Sequence, residues 1–362
     1  MKITTLASLT AATALALTGC AANEGTTTTS SSAAASKGAS ITLAGKGSSA
    51  QSAAMQKWIA DYQAKNAGVT INYSPDGSGA GRDGFGAGAV AFAGSDRAYT
   101  TAELTSLAFT RCAPGTKALD LPVYISPIAV IFKVDGVKDL KLDADTLAGI
   151  FSGKITKWND AAIVALNPGA TLPAANITAV HRSDDSGTTQ NFTDYLAQAA
   201  STVWTQKASG TWPASYTGEA AKGTSGLVDA VKSGQNTIGY ADESQAGTLG
   251  KATLKVGTEF LAPTADAAAK IVDASPVESG RAAGDLALTL DRKAAGAYPA
   301  VLVSYALVCQ TYAKADEGAA VKSFLTYVTS AEGQASAKAA AGSAPLSAAM
   351  QAKVKAALDS IK

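Results

Sequence analysis

The most chemically informative stretch of this sequence is residues 181–190, which read His-Arg-Ser-Asp-Asp-Ser-Gly-Thr-Thr-Gln. The apolar run before it, residues 177–180, predicts a strand, and the apolar spacing after it predicts a helix over residues 190–200. A polar turn between a strand and a helix leaves backbone N–H groups unpaired at the positive end of the helix dipole, which favours an anion. Arg182, at the strand end, has a guanidinium suited to holding an oxyanion through two hydrogen bonds.

The same residues also allow an interpretation without a ligand. Asp185 or Ser186 would then only cap the helix, and Arg182 would only pair with Asp184. The residues of this stretch alone leave both interpretations open.

Three other predicted strands in the first hundred residues also end in small polar groups. Strands at residues 40–45, 69–73 and 90–94 lead to Ser49, Ser78 and Asp96, respectively. Ser49 is followed by a predicted helix, and Ser78 lies in a glycine-rich turn, a weak signal by itself. Asp96 is the one of these three residues that carries a carboxylate.

The remaining pattern predicts the scaffold that positions these loops. Two long apolar, β-branched runs predict strands that cross between lobes, at residues 121–132 and 298–309. Other segments predict a helix and loop at 142–159, a helix at 226–233, a buried strand at 237–240 and helical structure from 317 onward.

Length and composition limit what such a chain can be. With 362 residues, 47% of them apolar, it is long enough for two cores and therefore two lobes. The formal charge of +1 comes without a basic block, so nucleic acid is not expected as a partner. An anion would have to be held by helix dipoles and one arginine.

The N-terminus has the features of an export signal. A short positive start is followed by an apolar run at residues 3–17 and by Leu-Thr-Gly-Cys at 17–20. This resembles the lipobox of bacterial lipoproteins, which implies a signal peptide at 1–19 and acylation of Cys20, with a secretory peptide cut near Ala-x-Ala as the alternative. The Thr-, Ser- and Ala-rich residues 20–39 predict a flexible tether, and the protein is expected to be anchored to the membrane outside the cytoplasm.

Two cysteines, Cys112 and Cys309, remain once Cys20 is assigned to the lipid. An oxidising compartment favours a disulfide between them, and two buried free thiols are the alternative. No metal site is expected, because two cysteines and the single histidine show no ligand spacing.

Seven motifs in order resemble the PstS-type phosphate-binding proteins of bacterial phosphate ABC importers. They lie at residues 45–50, 77–81, 92–96, 142–159, 167–169, 182–188 and 238–240. The resemblance implies an α/β, two-lobed periplasmic-binding-protein fold of type II, with two hinge strands and a ligand cleft between the lobes. Lobe one would comprise residues 40–120 and 305–362, and lobe two would comprise residues 121–304 including the hinge strands.

The resemblance also implies a function and a set of ligand contacts. The protein would bind inorganic phosphate as a monomer and deliver it to the permease subunits of an ABC transporter, without catalysis and without a cofactor. The implied contacts are Ser49, the N–H of Ala50, Ser78, Asp96, Arg182, Ser186, Gly187 and Thr188.

Two residues depart from the family pattern. Ala50 stands where some members carry an aromatic residue, and Asp185 stands where others have glycine. Asp185 is expected to point outward or to cap the helix.

Enzymatic alternatives fit the sequence less well. A serine hydrolase would need His181 as its base, yet no Gly-x-Ser-x-Gly elbow is present. A phosphatase would want metal ligands or a covalent nucleophile, and the supply of histidine and cysteine is small. A second role as a lipid-anchored adhesin is the other alternative, and whether the purified protein binds phosphate would distinguish an adhesin from a phosphate-binding protein.

Overall fold

The computed structural model describes residues 40–362. The predicted signal peptide, the predicted lipidation site Cys20 and the predicted tether lie outside the described residues.

Twelve strands are present within residues 40–362, nine in one sheet and three in another. Their bounds are β1 Ile41–Gly47, β2 Val69–Ser74, β3 Phe92–Ser95, β4 Ala118–Lys133, β5 Lys141–Leu142, β6 Thr178–Arg182, β7 Glu219–Ala221, β8 Thr237–Asp242, β9 Gly250–Lys251, β10 Thr253–Val256, β11 Glu259–Leu261 and β12 Val301–Cys309. The large sheet has the order β2-β1-β3-β12-β4-β8-β6-β7, with β9 also paired to β4, and the small sheet has the order β11-β10-β5.

Eleven α-helices and a short 3₁₀ helix at Glu243–Gln245 accompany the strands in this part of the chain. The α-helices are α1 Ser52–Lys65, α2 Ser78–Gly86, α3 Thr101–Ser106, α4 Ala144–Phe151, α5 Ala161–Leu166, α6 Gly187–Ala199, α7 Gly223–Ser233, α8 Ala265–Ala274, α9 Ala315–Val328, α10 Ala331–Ala341 and α11 Ala348–Ser360.

Strand β4 joins the two halves of the large sheet. Its first part pairs with β12, from Ala118 opposite Cys309 to Pro127 opposite Val301, and its last part, residues 128–133, pairs with β8. The apolar run at 121–132 therefore forms the predicted crossing strand. The second one, β12, begins later than predicted, at Val301, because the preceding Pro299 has no N–H for a strand ladder.

The strands around the loops run parallel within each half. β1 pairs in parallel with β2 and β3, and β6 pairs in parallel with β7 and β8. Carboxyl ends of parallel strands share one edge of a sheet, so the loops that follow β1, β2 and β3 meet at one edge, and those after β6 and β7 meet at another. Helices α1, α2, α6 and α7 begin at these edges.

Aromatic side chains fill the core on both sides of β4 and β12. In one group the ring of Phe324 contacts those of Tyr62 and Phe92, with centroid distances of 5.3 and 5.7 Å, respectively. The other contains Phe192 stacked on Tyr240 at 4.2 Å. Buried apolar side chains continue through β4 and β12, so the two cores expected from chain length merge at these strands.

The predicted disulfide between Cys112 and Cys309 is present. It fixes the loop after α3 to the end of β12, beside a β-bridge between Cys112 and Tyr312. Two segments separated by 197 residues are thereby joined covalently. As for membrane spans, none of the helices in residues 40–362 is long and apolar enough to form one.

Candidate functional site

The N-termini of four helices lie next to the predicted site residues: α1 follows Ser49 and Ala50, α2 begins at Ser78, α6 begins at Gly187, and α7 begins at Gly223. Each of these ends presents N–H groups without intrahelical partners and the positive end of a helix dipole. The site is therefore built for negative charge.

Two glycines bring the first two turns close together. Gly77 donates its N–H to the carbonyl of Gly47 at 2.9 Å. Both have positive φ, 106° for Gly77 and 144° for Gly47. A Cβ on Gly47 would lie 1.9 Å from the carbonyl oxygen of Gly94. Only glycine allows the loops after β1, β2 and β3 to approach in this way.

Asp96, directly after β3, is 2% exposed and is surrounded by hydrogen-bond donors. Its Oδ2 accepts from the hydroxyl of Thr188 at 3.0 Å, and its Oδ1 accepts from the hydroxyl of Ser304 at 2.7 Å. Its backbone N–H donates to Oγ of Ser78 at 3.1 Å. Gly187 packs against this group, since a Cβ there would lie 2.7 Å from Oγ of Ser78. The structure thus brings together Ser78, Asp96, Gly187 and Thr188.

Arg182 lies at the end of β6 and is also 2% exposed. Its Nε and Nη2 donate to the carboxylate of Asp184 at 2.8 and 2.5 Å. Burial alone would raise the pKa of Asp184, but the hydrogen bonds and charge of Arg182 outweigh burial and lower that pKa below its usual value. The Arg182–Asp184 pairing considered from the sequence is therefore present. It orients the guanidinium, whose Nη1 lies 3.4 Å from Oγ1 of Thr224.

Ser49 and Ala50 precede α1. Oγ of Ser49 accepts the backbone N–H of Thr224 at 3.1 Å and lies 3.0 Å from Oγ1 of Thr224. The N–H of Ala50 donates to Oγ of Ser48 at 3.1 Å. Ser49 is therefore linked to the start of α7, whereas the N–H of Ala50 bonds within its own loop.

Ser186 is the N-cap of α6, and its Oγ accepts the N–H of Thr189 at 3.2 Å. Gly187 and Thr188 are the first residues of α6, which begins three residues earlier than the predicted start at residue 190. Asp185 does not cap α6. Its side chain is 45% exposed, and its carboxylate accepts a hydrogen bond from buried Arg82 of α2 at 2.7 Å.

Sequence reasoning missed several residues that contact the predicted set. They are Thr224 at the start of α7, Ser304 in β12, Asn191 in α6, which donates to the carbonyl of Asp96, and Gln245, which donates to the carbonyls of Ser49 and Ala50. A Lys-Gly-Thr-Ser-Gly turn at 222–226 could have indicated Thr224 as a site residue. It was overlooked because the strand before it, β7, has only three residues and so shows no alternation of apolar and polar residues.

The single histidine lies on β6 with its ring stacked on Trp212, at 4.7 Å between centroids. Its Nδ1 lies 3.0 Å from the carbonyl oxygen of Arg182. Within residues 40–362, no group of three or more His, Cys, Asp or Glu side chains is placed to hold a metal ion.

Two α/β halves that share long strands and face each other through polar loops define a two-lobed periplasmic binding protein. A PBP superfamily domain model matches residues 23–332. Solved structures support the same fold: a phosphate-binding protein from Stenotrophomonas maltophilia has a TM-score of 0.69 and 23% identity, covering 88% of this chain and 94% of that one.

Similar sequences identify the family within this class of binding proteins. The chain is 38% identical over 294 residues to phosphate-binding protein PstS 3 of Mycobacterium leprae, covering 80% of this chain and 79% of the relative. It is 34% identical over 369 residues to phosphate-binding protein PstS 2 of Mycobacterium tuberculosis, covering 98% and 97%. The chain belongs to the family of PstS phosphate-binding proteins.

Proposed function

We propose that this protein binds inorganic phosphate in the cleft between its lobes, outside the cytoplasm, and delivers it to a phosphate ABC transporter for import. The observation that carries the proposal is the chemistry around Asp96. One buried carboxylate accepts hydrogen bonds from the hydroxyls of Thr188 and Ser304, and its backbone N–H donates to Ser78, so it lies beside the N-termini of α2 and α6. Such a pocket offers many donors and one charged acceptor, which suits a tetrahedral oxyanion that still carries a proton.

The contact set predicted from the family resemblance is retained in this proposal. It comprises Ser49, the N–H of Ala50, Ser78, Asp96, Arg182, Ser186, Gly187 and Thr188. Thr224 is added to it, because its N–H and hydroxyl lie between Ser49 and Arg182. All side chains of this set with a polar group are buried, which is what dense hydrogen bonding to a dehydrated anion requires.

The lobes are proposed as residues 40–120 with 305–362, and residues 121–304. Hydrogen bonds between these two sets support a cleft along their boundary, for example Thr188 to Asp96 and Thr224 to Ser49. The hinge is proposed near residues 123–126 and 301–304, where the register of β4 and β12 shifts between Ser304 and Tyr305.

Membrane attachment through acylated Cys20 is part of the proposal, with the membrane permease subunits as protein partners. It is tested by mass spectrometry of the mature N-terminus, where a diacylated cysteine is expected and an unmodified cleaved N-terminus would contradict it.

We further propose binding without catalysis, because the ring of His181 stacks on Trp212 and its Nδ1 faces a backbone carbonyl. Release of phosphate from a phosphomonoester at a rate above the uncatalysed one would overturn that part.

Calorimetry of tagless mature protein with phosphate and with sulfate tests the function. Phosphate is expected to bind at one site, and sulfate much more weakly. Arg182→Ala should abolish or strongly weaken binding, whereas Arg111→Ala, which removes an arginine paired with Glu317, should not. Absence of phosphate binding by folded wild-type protein would refute the proposal.

A further inference from the structure

The guanidinium of Arg82 in α2 is buried, with its side chain 3% exposed. Its Nη1 donates to Oγ of Ser95 at 3.0 Å, and its Nη2 donates to Oδ2 of Asp185 at 2.7 Å. Glu103 lies farther away, 3.8 Å from Nε of Arg82, and its two oxygens accept from Arg97 at 2.8 Å each. Asp185 is therefore the carboxylate that meets the charge of Arg82 directly among the described residues.

The position of Asp185 is fixed by more than this ion pair. Its backbone carbonyl accepts the N–H of Gly79, in the first turn of α2, at 3.0 Å. A Cβ on Gly79 would lie 2.6 Å from Cβ of Asp185, and a Cβ on Gly210 would lie 2.1 Å from Oδ1 of Asp185. The residue thus sits in a slot between two glycines, with its backbone and its side chain both bonded to α2.

These contacts connect two parts of the chain that face each other across the cleft. Arg82 and Gly79 follow β2, whereas Asp185 lies between β6 and α6, 103 positions further along from Arg82. Neither charged group belongs to the proposed anion contacts, although Asp185 directly precedes Ser186. Any opening of the cleft must separate the two charges and leave the buried guanidinium without its carboxylate.

We propose that the Arg82–Asp185 ion pair is a closure latch that slows release of the anion without taking part in its recognition. This inference rests on the proposed function for its ligand, but the latch itself is a property of the cleft. A charge-assisted hydrogen bond between a buried and a half-exposed group that is made only in the closed cleft favours closure. Removing the charge of Asp185 is expected to speed phosphate release by about tenfold, given the usual strength of such bonds.

The variant of choice is Asp185→Asn, because it keeps the shape of the side chain and the backbone bond to Gly79. The control is Asp359→Asn, which removes a carboxylate from the Lys355–Asp359 pair within α11. Radiolabelled inorganic phosphate is bound first, and its release is followed after rapid mixing with excess unlabelled phosphate. Calorimetry then gives the ratio of phosphate to sulfate affinity.

Faster release from Asp185→Asn, with the affinity ratio and the control unchanged, is the expected result. An additional Arg82→Met substitution should then increase the release rate no further, since the partner charge is already lost. An unchanged release rate would overturn the latch, and an altered phosphate-to-sulfate ratio would instead make Asp185 part of anion recognition.

A ligand-independent measurement separates the latch from the proposed function. Small-angle scattering of phosphate-free protein should show a larger radius of gyration for Asp185→Asn than for wild type, because the closed population falls. Equal radii would count against the latch even if phosphate binds. Failure of wild type to bind phosphate would refute the proposed function, and the scattering comparison would still decide the latch.

Discussion

The hydroxyl of Ser304 donates a 2.7 Å hydrogen bond to Oδ1 of Asp96, while the hydroxyl of Thr188 donates to Oδ2 of the same carboxylate. Ser304 lies in β12, next to the point where its register with β4 shifts. Thr188 lies in the first turn of α6. One carboxylate therefore connects a proposed hinge strand with the opposite side of the cleft.

Asp96→Asn should raise the affinity for sulfate relative to phosphate by at least about tenfold. Phosphate carries at least one O–H near neutral pH, which can donate to the carboxylate, whereas sulfate has none and would place two negative oxygens in contact. Full unit charges at about 2.6 Å and an effective dielectric of about 20 give roughly 6 kcal/mol as a ceiling for this penalty. Asparagine can donate as well as accept, so the penalty should largely vanish.

Calorimetry with both anions measures this ratio, and circular dichroism checks the fold of the variant. Arg182→Ala serves as the comparison, because loss of the guanidinium should weaken both anions. If the Asn variant keeps the wild-type ratio of sulfate to phosphate affinity, Asp96 has a structural role and does not discriminate between the two anions.

Thr224→Val should weaken phosphate binding several-fold, about 1 kcal/mol for one neutral hydrogen bond. The substitution removes the hydroxyl between Ser49 and Arg182 but keeps the backbone N–H and the side-chain shape. Thr237→Val is the matched control, since that buried hydroxyl donates to the carbonyl of Val231 near the end of α7, away from the proposed contacts. Calorimetry that finds equal affinities for the two variants would remove Thr224 from the contact set.

Much of this site could be anticipated because strand, polar turn and helix follow one another in the sequence. The transitions after β1, β2 and β6 have strands of five to seven residues, long enough to show a pattern. The start of α7 was missed because β7 has three residues, and its helix was predicted to begin at 226 instead of Gly223. Local signals of this kind fade when the strand is short.

The contacts across the cleft could not be predicted from local patterns. Arg82 and Asp185 are separated by 103 positions, and no sequence motif contains both residues. The role of Ser304 was hidden in the same way, because a serine in an apolar run indicates only a strand. Such pairings are set by how the two halves face each other, which periodicity does not encode.

Replacing both Cys112 and Cys309 by alanine should lower the free energy of unfolding while leaving phosphate binding at 25 °C intact. The disulfide closes a 197-residue separation, for which the chain-entropy model gives about 5 kcal/mol as an upper limit. Cys309 is the last residue of β12, five positions beyond Ser304, and Cys112 lies in the loop after α3, so the cleft should keep its geometry. Urea titrations of the variant and of oxidised wild type measure the loss, and equal midpoints would contradict a stabilising role.

Asp242→Asn should remove a component of stability that falls as pH rises. Burial raises the pKa of Asp242 to about 7 from its usual 3.8, even though Tyr124 and Ser244 donate hydrogen bonds to it. Between these two values the folded protein keeps a proton that the unfolded chain loses, so the free energy of unfolding decreases with increasing pH and levels off above about 7. Relative to the Asn variant, wild type should lose roughly 2 to 3 kcal/mol between pH 5 and pH 8. Urea titrations at both pH values test this, with Asp359→Asn as an exposed control expected to follow wild type. A pH dependence of Asp242→Asn identical to that of wild type would show that Asp242 does not hold a proton in the folded protein.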